Sequence, residues 1–256
     1  MYLEEVKATA AYDLSPHRHA FINPYNGCSM GCPFCFWLSQ EGWEGRIQIR
    51  TDIAKRLEEA LKTWPREEFI YLGSVCDPFN ELEKTYRLSK QCLELIRQYE
   101  IPLVITTSAA TPVVLEYAEL LKSMKQRVVI VVELARIPLI EAMGRGEDHV
   151  GIVHANLLRR AGLEVWATLA PVLPGITDME AVLERLDERI PVYIDRLGCK
   201  GESVQAQKMM AWLQQDYPAL QASYREMIDR QDWTYFDEVL KFYNQNKRIK
   251  TFPFEL

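Results

Sequence analysis

Short apolar runs alternate with amphipathic stretches along most of this sequence, and this alternation restricts the fold more than any other feature. The clearest run, Val128–Val132, is apolar at every position, as expected of a strand that helices cover on both faces. Strands separated by helical stretches of about 10–15 residues indicate βα units around a parallel sheet. The predicted strands are Phe21–Asn23, Phe69–Gly73, Leu103–Thr106, Val128–Glu133, Val165–Ala170 and Val192–Ile194.

The predicted helices set the number of βα units. They lie at Asp52–Thr63, Leu88–Tyr99, Pro112–Met124, His149–Ala161 and Asp178–Arg189. About six units follow, fewer than the eight that close a barrel, so we predict an α/β fold with a partial (β/α)6 TIM-like barrel. After residue 200 the pattern becomes helical, over Ser203–Gln215, Leu220–Arg230 and Tyr235–Lys247. We therefore expect residues 1–200 to form the barrel core and residues 201–256 to form a helical extension packed on it.

The composition narrows the classes of partner. The 256 residues are 48% hydrophobic and 26% charged, which is average for a folded globular chain. Thirty basic residues against 36 acidic ones give a net charge of −6, which disfavours a nucleic-acid partner because such proteins normally present a basic face to phosphates. No apolar run approaches the roughly 20 residues that span a bilayer, and the amino terminus does not resemble a signal peptide. We therefore expect a cytoplasmic protein without a membrane partner.

Three of the six cysteines are crowded into one short segment, as Cys28, Cys32 and Cys35 with the spacing C-x3-C-x2-C. In an intracellular chain such a cluster indicates metal binding or catalysis rather than a disulfide framework. Three thiolates can hold three irons of a [4Fe–4S] cluster and leave the fourth iron without a protein ligand. A structural zinc site normally has four ligands, and the nearby His17 and His19 lie outside the usual ligand spacing. The spacing therefore favours an iron–sulfur cluster over zinc.

The cysteine segment resembles the cluster-binding motif of the radical S-adenosylmethionine (SAM) superfamily. It reads NPYNGCSMGCPFCF from Asn23, with the aromatic Phe34 before the third cysteine, and its opening is similar to that of spore photoproduct lyase-like proteins. Leu72–Lys84 resembles the segment that follows the second strand in that branch, and Ala170–Asp178 resembles its exit from the fifth strand. The resemblance covers roughly residues 20–225.

The resemblance implies a specific chemistry. The three cysteines would hold a [4Fe–4S] cluster whose open iron binds SAM, and a one-electron donor of the flavodoxin or ferredoxin type would reduce it. Reductive cleavage of SAM would give a 5′-deoxyadenosyl radical that takes a hydrogen atom from a substrate. The protein would supply binding, orientation and exclusion of water.

The resemblance also implies a set of SAM-binding residues at the strand ends. They are Phe34 beside the adenine, Ser74 and Asp77 at the methionine amino group, Glu133 at the ribose hydroxyls, Arg136 at the carboxylate, and Pro171 and Val172 near the adenine. The alternative for Asp77-Pro78 is a simple turn, which this pair often starts. Arg136 is equally compatible with a solvated loop residue.

Cys76 is a candidate hydrogen-atom donor, because it lies at a strand end and its S–H bond is weak. In spore photoproduct lyases a cysteine close to this strand end has that role, whereas related segments usually carry threonine. The alternative is a small buried apolar residue, which is what a free cysteine usually is. Cys92 is predicted to be core, and the role of Cys199, which follows the sixth strand, is open.

The substrate remains open at this stage. The stretch Gly144–Gly151 departs from the family pattern, and no arginine aligns with the one expected after it. On charge grounds we favour a peptide or a small metabolite as substrate. The first alternative is a nucleic-acid lesion lyase in which Cys76 returns the hydrogen atom. The alternative from another class is a zinc-binding adaptor without catalysis.

Overall fold

The structure is a computed structural model that describes residues 2–14, 19–39, 43 and 45–251. The strands are β1 (Tyr2–Val6), β2 (Asp13–Leu14), β3 (Ala20–Ile22), β4 (Tyr25–Asn26), β5 (Arg46–Arg50), β6 (Ile70–Leu72), β7 (Leu103–Thr107), β8 (Val128–Glu133), β9 (Glu164–Leu169), β10 (Val192–Ile194) and β11 (Ile249–Thr251). The α-helices are α1 (Ile53–Leu61), α2 (Glu83–Tyr86), α3 (Leu88–Tyr99), α4 (Val113–Glu116), α5 (Ala118–Lys122), α6 (Ile137–Gly144), α7 (Val150–Arg160), α8 (Met179–Arg185), α9 (Val204–Asp216), α10 (Gln221–Arg230) and α11 (Thr234–Phe242). Short 3-10 helices cover Phe36–Ser39 and Pro218–Leu220.

The main sheet runs in the order β11-β10-β9-β8-β7-β6-β3-β2 in the described part of the chain. Neighbouring strands from β3 to β11 are parallel, and β2 pairs antiparallel with β3. Consecutive parallel strands that are neighbours and are joined by helices have the winding of a (β/α) barrel. All six predicted strands are confirmed, with ends that differ by one residue at most.

Three predicted helices differ from the structure. The stretch 112–124 forms two short helices, α4 and α5, which are separated at Tyr117, where ψ is 3°. The predicted helix 178–189 ends at Arg185, whose carbonyl accepts a hydrogen bond from Asn156 Nδ2 at 2.8 Å. The predicted helix 235–247 is wrong beyond Phe242, because Asn246 forms a side-chain turn with the next residues, and 249–251 then pair with β10 as a strand. The segment after residue 200 is therefore not purely helical.

The face of the main sheet that packs on the helices is largely apolar. One row across five strands consists of Ile22, Leu72, Ile105, Ile130 and Val165, each 0–1% exposed. Apolar helix residues such as Ile53 and Leu57 of α1 belong to the same core. Full burial of one such side chain stabilises the fold by about 1.5–3 kcal/mol, so this layer supplies much of the stability.

The opposite face of the sheet has a different composition. The adjacent row consists of Phe21, Tyr71, Val104, Val129 and Glu164. All of these except Val129 are half-buried, and none belongs to the core that the helices form. Because side chains alternate between the two faces of a strand, Glu133 points to this same side from β8. This face leads to the carboxyl ends of the strands, where parallel α/β folds place their active sites.

A smaller sheet positions the segment that carries the cysteines. In it β5 pairs parallel with β1 and antiparallel with β4, and sequence reasoning missed it because β1 is polar and largely exposed. Gly27 follows β4 with φ of +116°, and a Cβ on it would lie 2.1 Å from the Arg46 carbonyl oxygen. Only glycine allows this approach, which holds the start of the cysteine loop against β5.

The helices after residue 200 form a second apolar cluster with the cysteine loop. It includes Cys32, Phe34, Cys199, Met209, Leu213 and Tyr224, all buried. The carboxyl-terminal helices are therefore packed directly on the segment that follows β4. No helix in the described ranges is long and apolar enough to cross a membrane.

Candidate active site

Three thiols lie together on the loop that follows β4. Cys28 and Cys35 are half-buried, and Cys32 is buried. The loop is folded back on itself, since the Cys35 N–H donates to the Cys32 carbonyl at 3.1 Å and the Met30 N–H donates to Cys28 Sγ at 3.4 Å. Burial raises the pKa of the Cys28 and Cys35 thiols, so a metal group has to displace their protons when it binds.

The number of available ligands bears on the choice between zinc and an iron–sulfur cluster. Zinc–sulfur bonds of about 2.3 Å place tetrahedral thiolates roughly 3.8 Å apart, whereas the corners of a four-iron cube hold them farther apart. Among the residues that the structure describes, no group of three or more His, Cys, Asp or Glu converges on a single metal ion. His19 stacks on Tyr71 at 5.0 Å, and His17 lies outside the described residues. A fourth ligand that would complete a zinc site is therefore lacking among the described residues, whereas three cysteines on one loop suffice for a four-iron cluster.

Arg136 places a positive charge beside the thiols. Its Nη1 lies 3.8 Å from Cys32 Sγ, and its Nη2 donates to the carboxylate of Glu133. The two side chains are 18% and 37% exposed, so this ion pair is partly shielded from water. The structure thus brings the two residues expected at the SAM ribose and carboxylate together and against the cysteine loop. A nearby guanidinium stabilises the thiolate form that binds metal.

Asp77 joins the ends of β6 and β7. Its Oδ1 accepts from the Phe79 N–H at 2.9 Å and from Thr107 Oγ1 at 2.8 Å, and its Oδ2 accepts from the N–H and the hydroxyl of Ser108. A carboxylate offers about four lone-pair positions, and the chain itself occupies all four. In this structure Asp77 therefore positions the loop after β6, and it presents no free oxygen for a methionine amino group.

Ser74 lies on the same loop and is tied to the strand next to it. Ser74 Oγ and the Val75 N–H both donate to Asn23 Oδ1, at 3.3 and 3.1 Å. Asn23 is 1% exposed and ends β3, so it holds the two loops side by side. Gly73 turns the chain here with φ of +89°, and a Cβ on it would overlap the Pro78 ring.

Cys76 lies within the same group of side chains. It is 6% exposed, and Asn80 Nδ2 donates to its Sγ at 3.7 Å. Burial raises the pKa of Cys76 well above its usual range, and the nearby charges of Cys28 and Asp77 add to this effect. Cys76 is therefore a buried, protonated thiol beside the cysteine loop.

The other two cysteines lie elsewhere. Cys92 is 0% exposed on α3 in the main core, which confirms the prediction for it. Cys199 is also 0% exposed, and its Sγ lies 3.8 Å from Ser203 Oγ under the carboxyl-terminal helices. Its side chain packs in the layer that supports the cysteine loop.

The end of β9 presents an unpaired polar group. Thr168 is 5% exposed, and its Oγ1 makes no hydrogen bond within the described residues. Thr168 pairs in register with Glu133 of β8, and the buried Pro171 and Val172 follow it closely. A buried hydroxyl without a partner normally marks a missing polar ligand or water. Among the described residues, the Thr168 hydroxyl therefore has hydrogen-bonding capacity left for a ligand or a water.

Phe34 is held in place by residues of the carboxyl-terminal helix α9. It is 7% exposed, its ring contacts Trp212 edge-on at 6.4 Å, and its carbonyl accepts a hydrogen bond from Gln205 Nε2 at 2.5 Å. Both partners belong to α9. The backbone at the expected adenine contact is therefore fixed by a helix that is distant in sequence.

The sequence alone did not identify three polar residues of this site. Asn23 had a signal, because it ends a strand directly before a proline. Thr168 and Gln205 had none, since a single polar residue in a strand or an amphipathic helix does not show whether its partner is solvent or another segment. Only the packing makes their roles visible.

Of two cavities in the described structure, one borders the cysteine loop and the other lies away from the predicted site residues. One of about 440 Å³ lies between the cysteine loop, α6 and α9 and is lined by Cys32, Met30 and Trp212 among others. The larger one, of about 640 Å³, is lined by Asn156, Arg248 and neighbouring charged residues. It lies near the amino-terminal ends of β10 and β11, and none of the predicted site residues lines it. The smaller cavity borders the cysteine loop at Cys32.

The fold and the three-cysteine loop define a class of α/β enzymes that carry a metal cluster at the carboxyl ends of parallel strands. The family model of the Radical SAM superfamily matches residues 22–186, which is more than half of the chain. The chain therefore belongs to the radical SAM superfamily and is an enzyme. Membership implies SAM and an iron–sulfur cluster.

Comparison with known proteins shows the same fold. Rv2578c of Mycobacterium tuberculosis is 26% identical over 241 residues, which is 84% of this chain and 68% of that protein. A variant of spore photoproduct lyase with dinucleoside spore photoproduct matches with a TM-score of 0.65 at 14% identity, over 98% of this chain and 81% of that one. Streptococcus suis SuiB bound to S-adenosylmethionine matches with a TM-score of 0.55 at 15% identity, over 91% and 49%. SuiB is also known bound to precursor peptide SuiA. The partial-barrel α/β fold is thus confirmed.

Proposed function

We propose that this enzyme cleaves SAM reductively at a [4Fe–4S] cluster and abstracts a hydrogen atom from a peptide or a small metabolite. The observation that carries the proposal is the grouping of Cys28, Cys32 and Cys35 on one loop, with the guanidinium of Arg136 at 3.8 Å from Cys32 Sγ. Cys28, Cys32 and Cys35 would hold the cluster, which when bound and reduced would supply the electron for cleavage of SAM into methionine and the 5′-deoxyadenosyl radical.

The residues of the chain bind and orient SAM in this proposal. The unpaired hydroxyl of Thr168 and the carboxylate of Glu133 lie side by side and suit the ribose hydroxyls. Buried Pro171 and Val172 exclude water on the adenine side. With the Asp77 carboxylate already occupied, backbone carbonyls and the Ser74 hydroxyl of the same loop are left to meet the methionine amino group.

The face of the main sheet that does not pack on the helices bears on the substrate class. It presents Tyr71, Val104 and Trp166, and Arg127 there is paired with Glu164 by two hydrogen bonds, at 2.9 and 2.6 Å. A basic surface for a phosphate backbone is therefore lacking among the described residues of this face, and the net charge of −6 points the same way. These features favour a peptide or a metabolite over a nucleic acid as the substrate.

A second candidate function rests on Cys76. Its buried, protonated thiol could give a hydrogen atom to the substrate radical, as in a lesion lyase of the kind that spore photoproduct lyase represents. In that case Cys76→Ser, with its stronger O–H bond, would still cleave SAM but would lose product formation. Affinity for damaged DNA that falls steeply with salt would favour this function over the first.

The proposed chemistry needs an electron source. A flavodoxin- or ferredoxin-type donor in the cytoplasm would supply it, and the cavity beside Cys32 offers an approach to the cysteine loop. This partner is checked by replacing a chemical reductant such as dithionite with the donor protein and measuring whether SAM is still cleaved.

The deciding experiment is anaerobic reconstitution with iron and sulfide, reduction in the presence of SAM, and chromatography for 5′-deoxyadenosine. We expect the wild-type chain to produce it, and Cys28→Ala, Cys32→Ala and Cys35→Ala to lose both the cluster absorbance and the product. Cys92→Ala is the matched control, because it removes a buried thiol that lies outside the site. About one zinc per chain, no cluster and no SAM cleavage would overturn the proposal and support the zinc-binding adaptor.

A further inference from the structure

Glu83 is a fully buried carboxylate that none of the assignments above uses. It is 0% exposed and accepts four hydrogen bonds, from Tyr25 Oη at 2.6 Å, Tyr117 Oη at 3.0 Å, the Ser89 N–H at 3.0 Å and the Lys90 N–H at 2.9 Å. A buried carboxylate is tolerated only when its oxygens are hydrogen-bonded or paired. Here every donor comes from the chain itself.

The charge of this carboxylate is offset by a helix. Ser89 and Lys90 are in the first turn of α3, which has 12 residues. The unpaired N–H groups and the partial positive charge of a helix N-terminus stabilise an anion there. Burial, followed by the charge of Glu83, raises the pKa of both Tyr25 and Tyr117, so both phenols stay protonated and donate.

Two of the residues that donate to Glu83 are linked to the loops of the active site. Tyr25 is 1% exposed on β4 and lies three positions before Cys28. Ser89 also donates from its hydroxyl to the Pro78 carbonyl at 2.6 Å, directly after Asp77. Glu83 therefore connects the cysteine loop with the loop after β6, which carries Ser74 and Cys76.

We propose that Glu83 is a positioning residue that, through the Tyr25 hydroxyl, sets the place of the cysteine loop relative to the loop after β6. Tyr25 and Glu83 are 58 positions apart in the sequence, yet they form a single buried unit. For the cluster-bound enzyme the inference rests on the proposed function, but the position of the loop can also be tested in the metal-free chain.

Tyr25→Phe and Tyr117→Phe form a matched pair for the test. Each removes one O–H donor to Glu83 from a buried ring, and the rings are 1% and 4% exposed. The two variants therefore lose similar stability, whereas only the first changes the segment that leads to Cys28. In metal-free chains, we expect Tyr25→Phe to speed the labelling of Cys28 and Cys35 by a thiol reagent about fivefold to tenfold, which corresponds to about 1–1.4 kcal/mol. Tyr117→Phe should label at the wild-type rate.

In the reconstituted chain the same pair is compared by the rate at which a chelator removes iron and by the EPR spectrum of the reduced cluster. We expect Tyr25→Phe to lose iron about fivefold to tenfold faster, again about 1–1.4 kcal/mol, and to show a changed spectrum. Tyr117→Phe should match the wild type in both. Equal labelling and equal iron loss in the two variants would overturn the inference, because the effect would then be one of general stability.

Glu83→Gln provides a second line of test. The amide keeps the size of the side chain but can accept at one atom only. We therefore expect Glu83→Gln to speed the labelling of Cys28 and Cys35, as Tyr25→Phe does. Glu81→Gln, on exposed surface, is the control. A wild-type chain that takes up no cluster would contradict the proposed function alone, since the labelling of the metal-free chain still judges the role of Glu83. Wild-type labelling rates in Glu83→Gln would contradict that role.

Discussion

At the scale of single residues, the site depends on a few positions where only one residue type fits. Gly27 is the clearest, because its φ of +116° and the Arg46 carbonyl at 2.1 Å from a Cβ exclude any side chain. Asp77 is another, since its four hydrogen bonds hold the ends of β6 and β7 together. Both residues act by placing a loop rather than by contacting a reacting group.

Gly27→Ala should unfold the start of the cysteine loop. Positive φ alone costs about 1–2 kcal/mol for a non-glycine residue, and the overlap with the Arg46 backbone forces a further displacement, so we expect a loss of about 3 kcal/mol or more in the free energy of unfolding. Urea titration measures this loss, and iron content after reconstitution should fall with it.

Gly31→Ala is the matched control on the same loop. Its φ is +66°, and an added Cβ would meet no described atom within 4 Å. The cost should therefore be limited to about 1–2 kcal/mol from the backbone conformation. Equal losses in the two variants would show that the contact with Arg46 is unimportant.

At the scale of elements, α7 is anchored by two buried histidines. His149 is 6% exposed, and its Nδ1 accepts from the Gly151 N–H at 3.1 Å, which makes it the N-cap of the helix. His154 is 7% exposed and donates from Nδ1 to the Ala109 carbonyl at 2.6 Å, because a carbonyl can only accept. His149 thus caps the start of α7, and His154 fastens the helix to Ala109 after β7, next to the residues that hold Asp77.

This anchor predicts a loss of stability in acid. Burial, followed by the nearby His154, lowers the pKa of His149 to about 4, whereas in the unfolded chain it is about 6.5. The neutral ring is therefore favoured in the folded chain. Its contribution is complete above pH 6.5 and is lost as the pH falls towards 4, by about 3 kcal/mol in total.

His149→Asn isolates this effect, because asparagine caps a helix well and does not titrate. Urea unfolding at pH 7, 5.5 and 4 should show a larger loss of stability in the wild type than in the variant. If the free energy of unfolding fell by the same amount with pH in both chains, the loss of stability in acid would not come from His149.

At the scale of the whole molecule, the carboxyl-terminal helices complete the site. Gln205 and Trp212 of α9 hold Phe34, and β11 joins the sheet beside β10. Residues on both sides of position 200, where we expect the barrel core to end, pack in one apolar cluster. Residues that follow it support both the cysteine loop and the edge of the sheet.

Gln205→Ala should weaken the cysteine loop from a distance of 171 positions in the sequence. It leaves the buried Phe34 carbonyl without a donor, which costs about 1–3 kcal/mol. We expect faster chelation of iron together with a lower free energy of unfolding. Gln207→Ala, exposed on the same helix, should change stability by no more than about 0.5 kcal/mol. Wild-type chelation rates in Gln205→Ala would show that α9 does not support the loop.

The strands and the cysteine loop were predictable because their signals are local. A run such as Val128–Val132 needs no partner to be read as a buried strand, and C-x3-C-x2-C carries its chemistry within eight residues. The small sheet of β1, β4 and β5 was missed, because its strands are short or polar and are stabilised mainly by pairing. The helix predicted over 235–247 failed where Asn246 makes a local turn.

The sequence by itself determined the α/β winding, the position of the three thiols after the first strand of the main sheet, and the superfamily. The tertiary structure alone decided which polar groups are already in use. Four hydrogen bonds occupy Asp77, whereas Thr168 Oγ1 has no described partner, and Glu83 binds Tyr25, which is 58 positions away in the sequence. The reason is physical: hydrophobic periodicity is a property of neighbouring residues, but the satisfaction of a buried polar group depends on segments that only folding brings together.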